Sequence, residues 1–202
     1  MVAEKVYVTP EEYLRLERAA EFKSEYVNGE IIPMGDHFPA IMAGASTNHN
    51  LIKENVGFQI NVCIRGNGKG CCSMSSDQRV HVPTDSLYAY PDIVVVCGPN
   101  QYLDALPDTL TNPVLLVEVL SPGTAAYDRG DKFTLYRHSA TLQEYAVINS
   151  EKVSAEVWRK HEQGFWFLAS EAQNITSSIE LASIGLTLSM EVAYAETEGI
   201  LA

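Results

Sequence analysis

Two short, unbroken hydrophobic runs set the frame for any fold this chain can adopt. They are Ile93-Val94-Val95-Val96-Cys97 and Val114-Leu115-Leu116-Val117-Glu118-Val119-Leu120. Continuous apolar runs of this length are expected of interior strands covered on both faces. Glu118 breaks the pattern. A buried carboxylate is costly unless it is paired, protonated or bound to a metal. A second acid, Asp92, stands after Pro91 at the mouth of the first run. If the two strands are neighbours, both carboxylates converge at one place.

Two carboxylates with waters and a phosphate oxygen suit Mg²⁺, a hard cation that keeps several waters. Such a metal can activate water and stabilise a pentacoordinate phosphate. The residues also allow plainer readings. Asp92 after a proline can be a turn or capping residue, and an edge strand with one wet face would explain Glu118. The following segment, Asp128-Arg129-Gly130-Asp131-Lys132, opens a helix whose N-terminus could attract an anion. Lys132 could stabilise an attacked phosphate. It could equally form an i,i+4 pair with Asp128, worth only about 0.3–0.5 kcal/mol. Tyr136, one turn on, reads as packing.

The remaining pattern supplies elements to cover such strands. Thr9-Pro10-Glu11-Glu12 predicts a helix start with a capping box, fading near Ala20. Glu25 to Met34 predicts a hairpin turning at Asn28-Gly29. Leu51, Ile52, Val56, Ile60 and Ile64 recur as one helical face over His49 to Ile64, which Gly66-Asn67-Gly68-Lys69-Gly70 must end. Cys71 to Val82 predicts one strand, followed by a turn at Pro83-Thr84-Asp85-Ser86. A helix is expected from about Tyr127 to His138. Strands follow at Glu144 to Ile148, Ser154 to Lys160 and Phe165 to Ala169, and the tail around Ile184 to Leu188 is less defined. The 202 residues carry no repeat or linker. They predict a single α/β (α+β) domain over residues 1–202, a mixed sheet covered by two or three helices.

Charge restrains the choice of partners. Lys+Arg number 14 against 26 Asp+Glu, a formal net charge of −12. That argues against a protein that coats DNA electrostatically, because phosphate neutralisation needs a basic surface. The N-terminus, Met1-Val2-Ala3-Glu4-Lys5, lacks the apolar core of a secretory signal, and no run approaches the ~18 apolar residues that span a bilayer. Cys63, Cys71, Cys72 and Cys97 form no CxxC pair, and adjacent Cys71 and Cys72 are poor partners for each other. A reduced, cytoplasmic protein without a membrane anchor is expected. His37, His81, His138 and His161 show no ligand spacing. His49 could face the same pocket but reads first as a cap or surface residue, Gln143 could hydrogen-bond near the site but reads first as the start of a strand, and Ser121 lacks a partner histidine for nucleophilic chemistry.

Taken in order, these segments resemble a known family. Tyr90-Pro91-Asp92-Ile93-Val94-Val95, then Leu116-Val117-Glu118-Val119-Leu120-Ser121-Pro122, are similar to the restriction endonuclease family of the Uma type, within the PD-(D/E)XK nuclease superfamily. The similarity continues through Tyr127-Asp128-Arg129-Gly130-Asp131-Lys132-Phe133, Leu135-Tyr136 and Leu142-Gln143-Glu144-Tyr145-Ala146-Val147-Ile148, and at the N-terminal end through Glu25-Tyr26-Val27-Asn28-Gly29-Glu30-Ile31. It covers about residues 9 to 195. The resemblance implies a restriction-endonuclease-like mixed sheet flanked by helices, with Asp92 and Glu118 as metal-binding acids. The superfamily's usual lysine, two residues after the second acid, is replaced by Leu120; the resemblance implies that Lys132 from the following helix takes its place. Glu30, ahead of Glu25, is expected to add a further acid to the metal.

The expected function is therefore a Mg²⁺- or Mn²⁺-dependent endonuclease. Asp92, Glu118 and Lys132 would be catalytic, Asp92, Glu118 and Glu30 would hold metal, and DNA would be the substrate. By analogy with the family it would act as a homodimer. The missing lysine at Leu120 and the net acidity motivate the alternative, an inactive nuclease-fold binding or assembly protein. A smaller phosphoester substrate is a third possibility. With a charge of −12, DNA binding would depend on a local basic strip, drawn from Lys53, Arg65, Lys69, Arg129 and Arg137.

Overall fold

The computed structural model describes residues 7–34, 46–83 and 87–200. His37, the turn residues 84–86 and the N-terminal residues Met1 to Lys5 lie outside them. Helix α1 (Pro10–Glu17) starts as the sequence indicates: the Thr9 hydroxyl accepts from the Glu12 N–H at 3.2 Å. The reciprocal half of the capping box is not made, because Arg15 binds both oxygens of Glu12. Strands β1 (Ser24–Val27) and β2 (Glu30–Pro33) form the hairpin. Asn28 and Gly29 both take positive φ, +47° and +97°, as a tight two-residue turn requires.

A Cβ added at Gly29 would stand 2.6 Å from Cδ1 of Tyr7, on a backbone that L residues resist. Gly29→Ala is expected to destabilise the protein by about 1–2 kcal/mol, most of it backbone strain. A thermal melt checks this; no loss would mean that the turn readily adopts another geometry.

Helix α2 (Thr47–Gly66) is longer than its apolar spacing suggested, because Ser46 caps it by accepting from the His49 N–H at 3.2 Å. Ile52, Val56, Ile60 and Ile64 form its buried face. The single strand expected over residues 71–82 is two, β3 (Cys71–Ser75) and β4 (Arg79–Val82), in different sheets. A turn between them, where Gln78 N–H bonds the Ser75 carbonyl, redirects the chain. The two apolar runs become β6 (Ile93–Cys97) and β8 (Leu115–Leu120), with the short β5 (Leu87–Ala89) before them and β7 (Thr109–Leu110) between them.

Next comes an irregular helical segment: α3 (Ala125–Tyr127), a π-helical turn (Asp128–Lys132) and α4 (Phe133–Tyr136). β9 (Glu144–Asn149), β10 (Ala155–Lys160), β11 (Trp166–Ala172), the hairpin β12 (Ser178–Leu181) and β13 (Leu186–Ser189), and α5 (Met190–Ala193) complete the chain. A six-stranded mixed sheet runs β11-β10-β9-β8-β6-β3, and a five-stranded sheet runs β2-β1-β5-β4-β7. β6 and β8 are antiparallel neighbours with Ile93 opposite Val117, whereas β8 and β9 are parallel. The adjacency on which the converging acids depended is therefore present.

Alternation along β8 decides where Glu118 points. Leu115, Val117 and Val119 join the core formed with α2, the β12–β13 hairpin and α5. Leu116 and Leu120 point to the other face, against Phe133, Tyr136 and the strands of the five-stranded sheet. Glu118 has the parity of Leu116 and Leu120, so it faces the π-helical segment.

The cysteines depart from the expectation of free thiols. Cys71 and Cys97 lie opposite each other in the β3–β6 ladder and are joined by a disulfide; Cys63 and Cys72 are free. Cross-strand register made that pair, which residue spacing alone could not indicate. Among the described residues no helix is long and apolar enough to cross a membrane.

Candidate functional site

The extension of β6 places Asp92 across from Glu118, and the two acids interlock through backbone. Asp92 N–H donates to Glu118 Oε2 at 3.2 Å, and Val119 N–H donates to Asp92 Oδ2 at 2.8 Å. The π-helical turn brings Lys132 onto the same place. Its Nζ lies 2.9 Å from Glu118 Oε1, 2.9 Å from Glu25 Oε1 and 3.5 Å from Asp128 Oδ1. The pair with Asp128 thus exists as one of three contacts. Tyr136 donates to Glu118 Oε1 at 3.4 Å, and the Tyr127 ring lies 5.8 Å from the ammonium.

Lys132, Glu118 and Asp128 are each 4% exposed and Glu25 is 0% exposed. One ammonium therefore faces three carboxylates where water cannot screen them. The charges shift the proton affinities of Glu118, Asp128 and Lys132. Burial pushes the Glu118 carboxyl well above the usual range; Lys132 opposes this, and Asp128, Asp92 and Glu25 add to it. Burial likewise raises Asp128 against the pull of Lys132. Burial favours neutral Lys132, but Glu118 and Glu25 outweigh it and hold the ammonium charged far above neutrality.

A cavity of about 210 Å³ opens on this cluster, lined by Asp92, Glu118, Lys132, His49, Lys23 and Lys53, among others. His49 reads from sequence first as a cap or surface residue, and the cap is Ser46; its Nε2 sits 3.3 Å from Asp92 Oδ2, and its buried Nδ1 finds no partner among the described residues. Ser121 also lines the cavity, sharing a hydrogen bond with Thr124.

Of the expected site residues, Asp92, Glu118 and Lys132 come together. Glu30 does not join them: at the start of β2 it lines a separate pocket with Tyr127, Asp131 and Leu135. Glu25 occupies the place by Lys132 instead. Two positions apart on β1, Glu25 and Val27 share a face, and Glu30 stands opposite Val27 at the far end of the hairpin. Gln143 lines another cavity with Glu144 and Arg159. The basic strip divides. Lys53 and Arg65 lie along α2, Arg129 binds Glu156 at 3.1 Å, and Arg137 lies over the Phe133 ring. Sequence reasoning ranks Glu25 behind Glu30, favours a cap or surface role for His49 over the pocket, and reads Tyr136 as packing; the i+4 spacing of Tyr136 from Lys132 is its one signal.

Among the described residues, no group of three or more His, Cys, Asp and Glu side chains forms a metal cage. A Mg²⁺ site does not require one, since one or two carboxylates with waters and substrate phosphate suffice. The hard oxygen donors of Asp92 and Glu118 on the cavity wall fit that description. So does the charge balance, because the cluster is short of positive charge and Glu25 Oε2 is buried without a partner.

The same fold occurs in a solved structure. It matches a crystal structure from Anabaena variabilis, described as "a putative nuclease belonging to DUF820", with a TM-score of 0.69 and 19% identity, covering 93% of this chain and 98% of that one. The chain belongs to the Uma2 family, described as "Putative restriction endonuclease", whose pattern matches residues 10–191. Two Synechocystis relatives are similar along nearly their whole length. The uncharacterized protein slr1290 is 35% identical over 93% of this chain and 91% of its own. The uncharacterized protein sll1609 is 33% identical over 90% of this chain and 97% of its own.

Proposed function

We propose that this cavity hydrolyses phosphodiester bonds of DNA with a divalent cation, Mg²⁺ or Mn²⁺, as cofactor. The observation that carries the reading is the charge of the cluster: the Lys132 ammonium stands against Glu25, Glu118 and Asp128, with Asp92 beside them and Lys23, Lys53 and His49 on the cavity wall. Evolved proteins tolerate such an imbalance chiefly at functional sites. Asp92 and Glu118 would hold the ion. When bound, it supplies Lewis-acid charge at the phosphate.

The protein groups have separable parts in this reading. Lys132 and Tyr136 fix the Glu118 carboxylate from one side, leaving its other oxygen toward Asp92. The backbone N–H of Val119 fixes Asp92. Lys132 also places a permanent positive charge where an attacked phosphate gains negative charge. Burial opposes the charge on that ammonium, but Glu118 and Glu25 outweigh it and hold Lys132 protonated well above the ordinary lysine range. The motif lysine replaced by Leu120 is thus supplied from the π-helical turn.

The test is a supercoiled plasmid incubated with Mg²⁺, Mn²⁺ or a chelator. Nicked and linear products are expected with either metal and none with chelator. Failure to cut DNA under any metal, together with a stable oligomer on sizing, would favour the assembly-protein alternative.

A further inference from the structure

We propose that the groove between α2 and edge strand β3 holds an unpaired segment of the polynucleotide whose backbone enters the cavity. The proposal rests on the reading of that cavity as a nuclease site, and it names the form of substrate. The groove measures about 510 Å³ and is lined from α2 by Lys53, Glu54, Phe58, Val62 and Arg65, and from β3 by Met74. Lys53 lines this groove and the candidate site alike, so the two are neighbours that share that side chain.

Lys53 and Arg65 are twelve positions apart, about 3.3 helical turns, and both line the groove although their side chains leave α2 about 120° apart. At about 1.5 Å per residue their backbones stand roughly 18 Å apart, room for several nucleotides. Between them Phe58 is 64% exposed and Val62 54% exposed. A large aromatic ring left in water between two cations matches the recurring plan for single strands, in which bases stack on a ring and phosphates meet flanking positive charge. Bases inside a duplex offer no free face to such a ring. Glu54 repels phosphate within the groove, which leaves the two ends as the backbone contacts.

The charge distribution supports the choice of partner. Several cations outside the groove are engaged by carboxylates: Arg15 by Glu12, Arg18 by Asp104 and Asp108, Arg129 by Glu156, Arg159 by Glu144. In a chain of net charge −12, a groove lined by two cations and one acid, Glu54, is a local patch of net positive charge.

Fluorescence anisotropy with a labelled twelve-nucleotide oligothymidine, without metal and at low salt, tests the proposal. Wild type, Phe58→Ala and Arg65→Glu are compared, alongside a labelled duplex of equal length and hydrolysis of bis(p-nitrophenyl) phosphate with Mn²⁺. The expected result is oligothymidine binding weakened about tenfold or more by Phe58→Ala, as loss of a stacked base predicts. Duplex binding and small-diester hydrolysis should change less than twofold. Arg65→Glu should weaken the oligonucleotide and flatten its salt dependence. Equal oligothymidine binding by wild type and Phe58→Ala, or no binding by wild type, overturns the groove. Absence of small-diester hydrolysis by wild type counts against the nuclease reading alone, since the binding comparison still decides the groove.

Discussion

Lys132→Met is expected to destabilise the protein by about 3–5 kcal/mol, the usual cost of stripping one partner from a buried charge cluster. For a chain of this size that corresponds to a melting temperature lower by on the order of 10 °C. The substitution keeps an unbranched stem and removes the ammonium that contacts Glu25, Glu118 and Asp128.

The loss should depend on pH in a definite direction. Glu118 and Asp128 have folded-state pKa values raised by burial. Groups with raised pKa values bind more protons folded than unfolded, so their contribution to stability is present below the ordinary carboxylate range and is lost as pH rises through the folded value. Removing the ammonium raises both further. The gap between variant and wild type should therefore be widest near pH 8 and narrow towards pH 5. Melts at the two pH values check it; a constant gap, or one that widens in acid, would mean that Lys132 acts through packing alone.

Glu118→Gln should have the opposite signature. It removes one negative charge from a cluster that has too many and keeps the side-chain shape, but both carboxylate oxygens accept from donors, so the amide turns one acceptor into a donor. The two effects oppose each other, and its melting temperature should stay within a few degrees of wild type. Cleavage should fall at least 10²- to 10³-fold, the scale of losing one preorganised electrostatic group. Activity lost while stability holds is the mark of a site built against the interest of the fold. A variant that cuts at the wild-type rate would remove Glu118 from the chemistry, and one that unfolds would show its role to be structural.

Much of this arrangement was legible because strand physics is local. Unbroken apolar runs can only be covered strands, and one acid inside such a run identifies itself. The hairpin turn at Asn28-Gly29 and the start of α1 at Thr9 follow from backbone preferences of single residues. What escaped was set by tertiary position. Glu25 and Glu30 are near-equivalent in a hairpin sequence, and only the pairing of β1 with β5 carries one of them to Lys132. The turn at residues 76–78 sends β4 into a second sheet, although the residues on both sides read as strand. Cys71 and Cys97 meet only because β3 and β6 pair. The π-helical turn, which aims Lys132 back at β8, has no signature in a segment whose composition suits an ordinary helix.

The account turns on whether Asp92 and Glu118 act together at one hydrolytic site. The direct measurement is plasmid nicking in Mg²⁺ by wild type and Asp92→Ala, prepared identically and matched by melting curve. Asp92 is partly exposed at the cavity wall, so the variant should fold. Nicking by wild type, with at least a hundredfold loss in the variant, is the predicted result. Equal nicking by both proteins would contradict it, since the cleavage would then come from elsewhere.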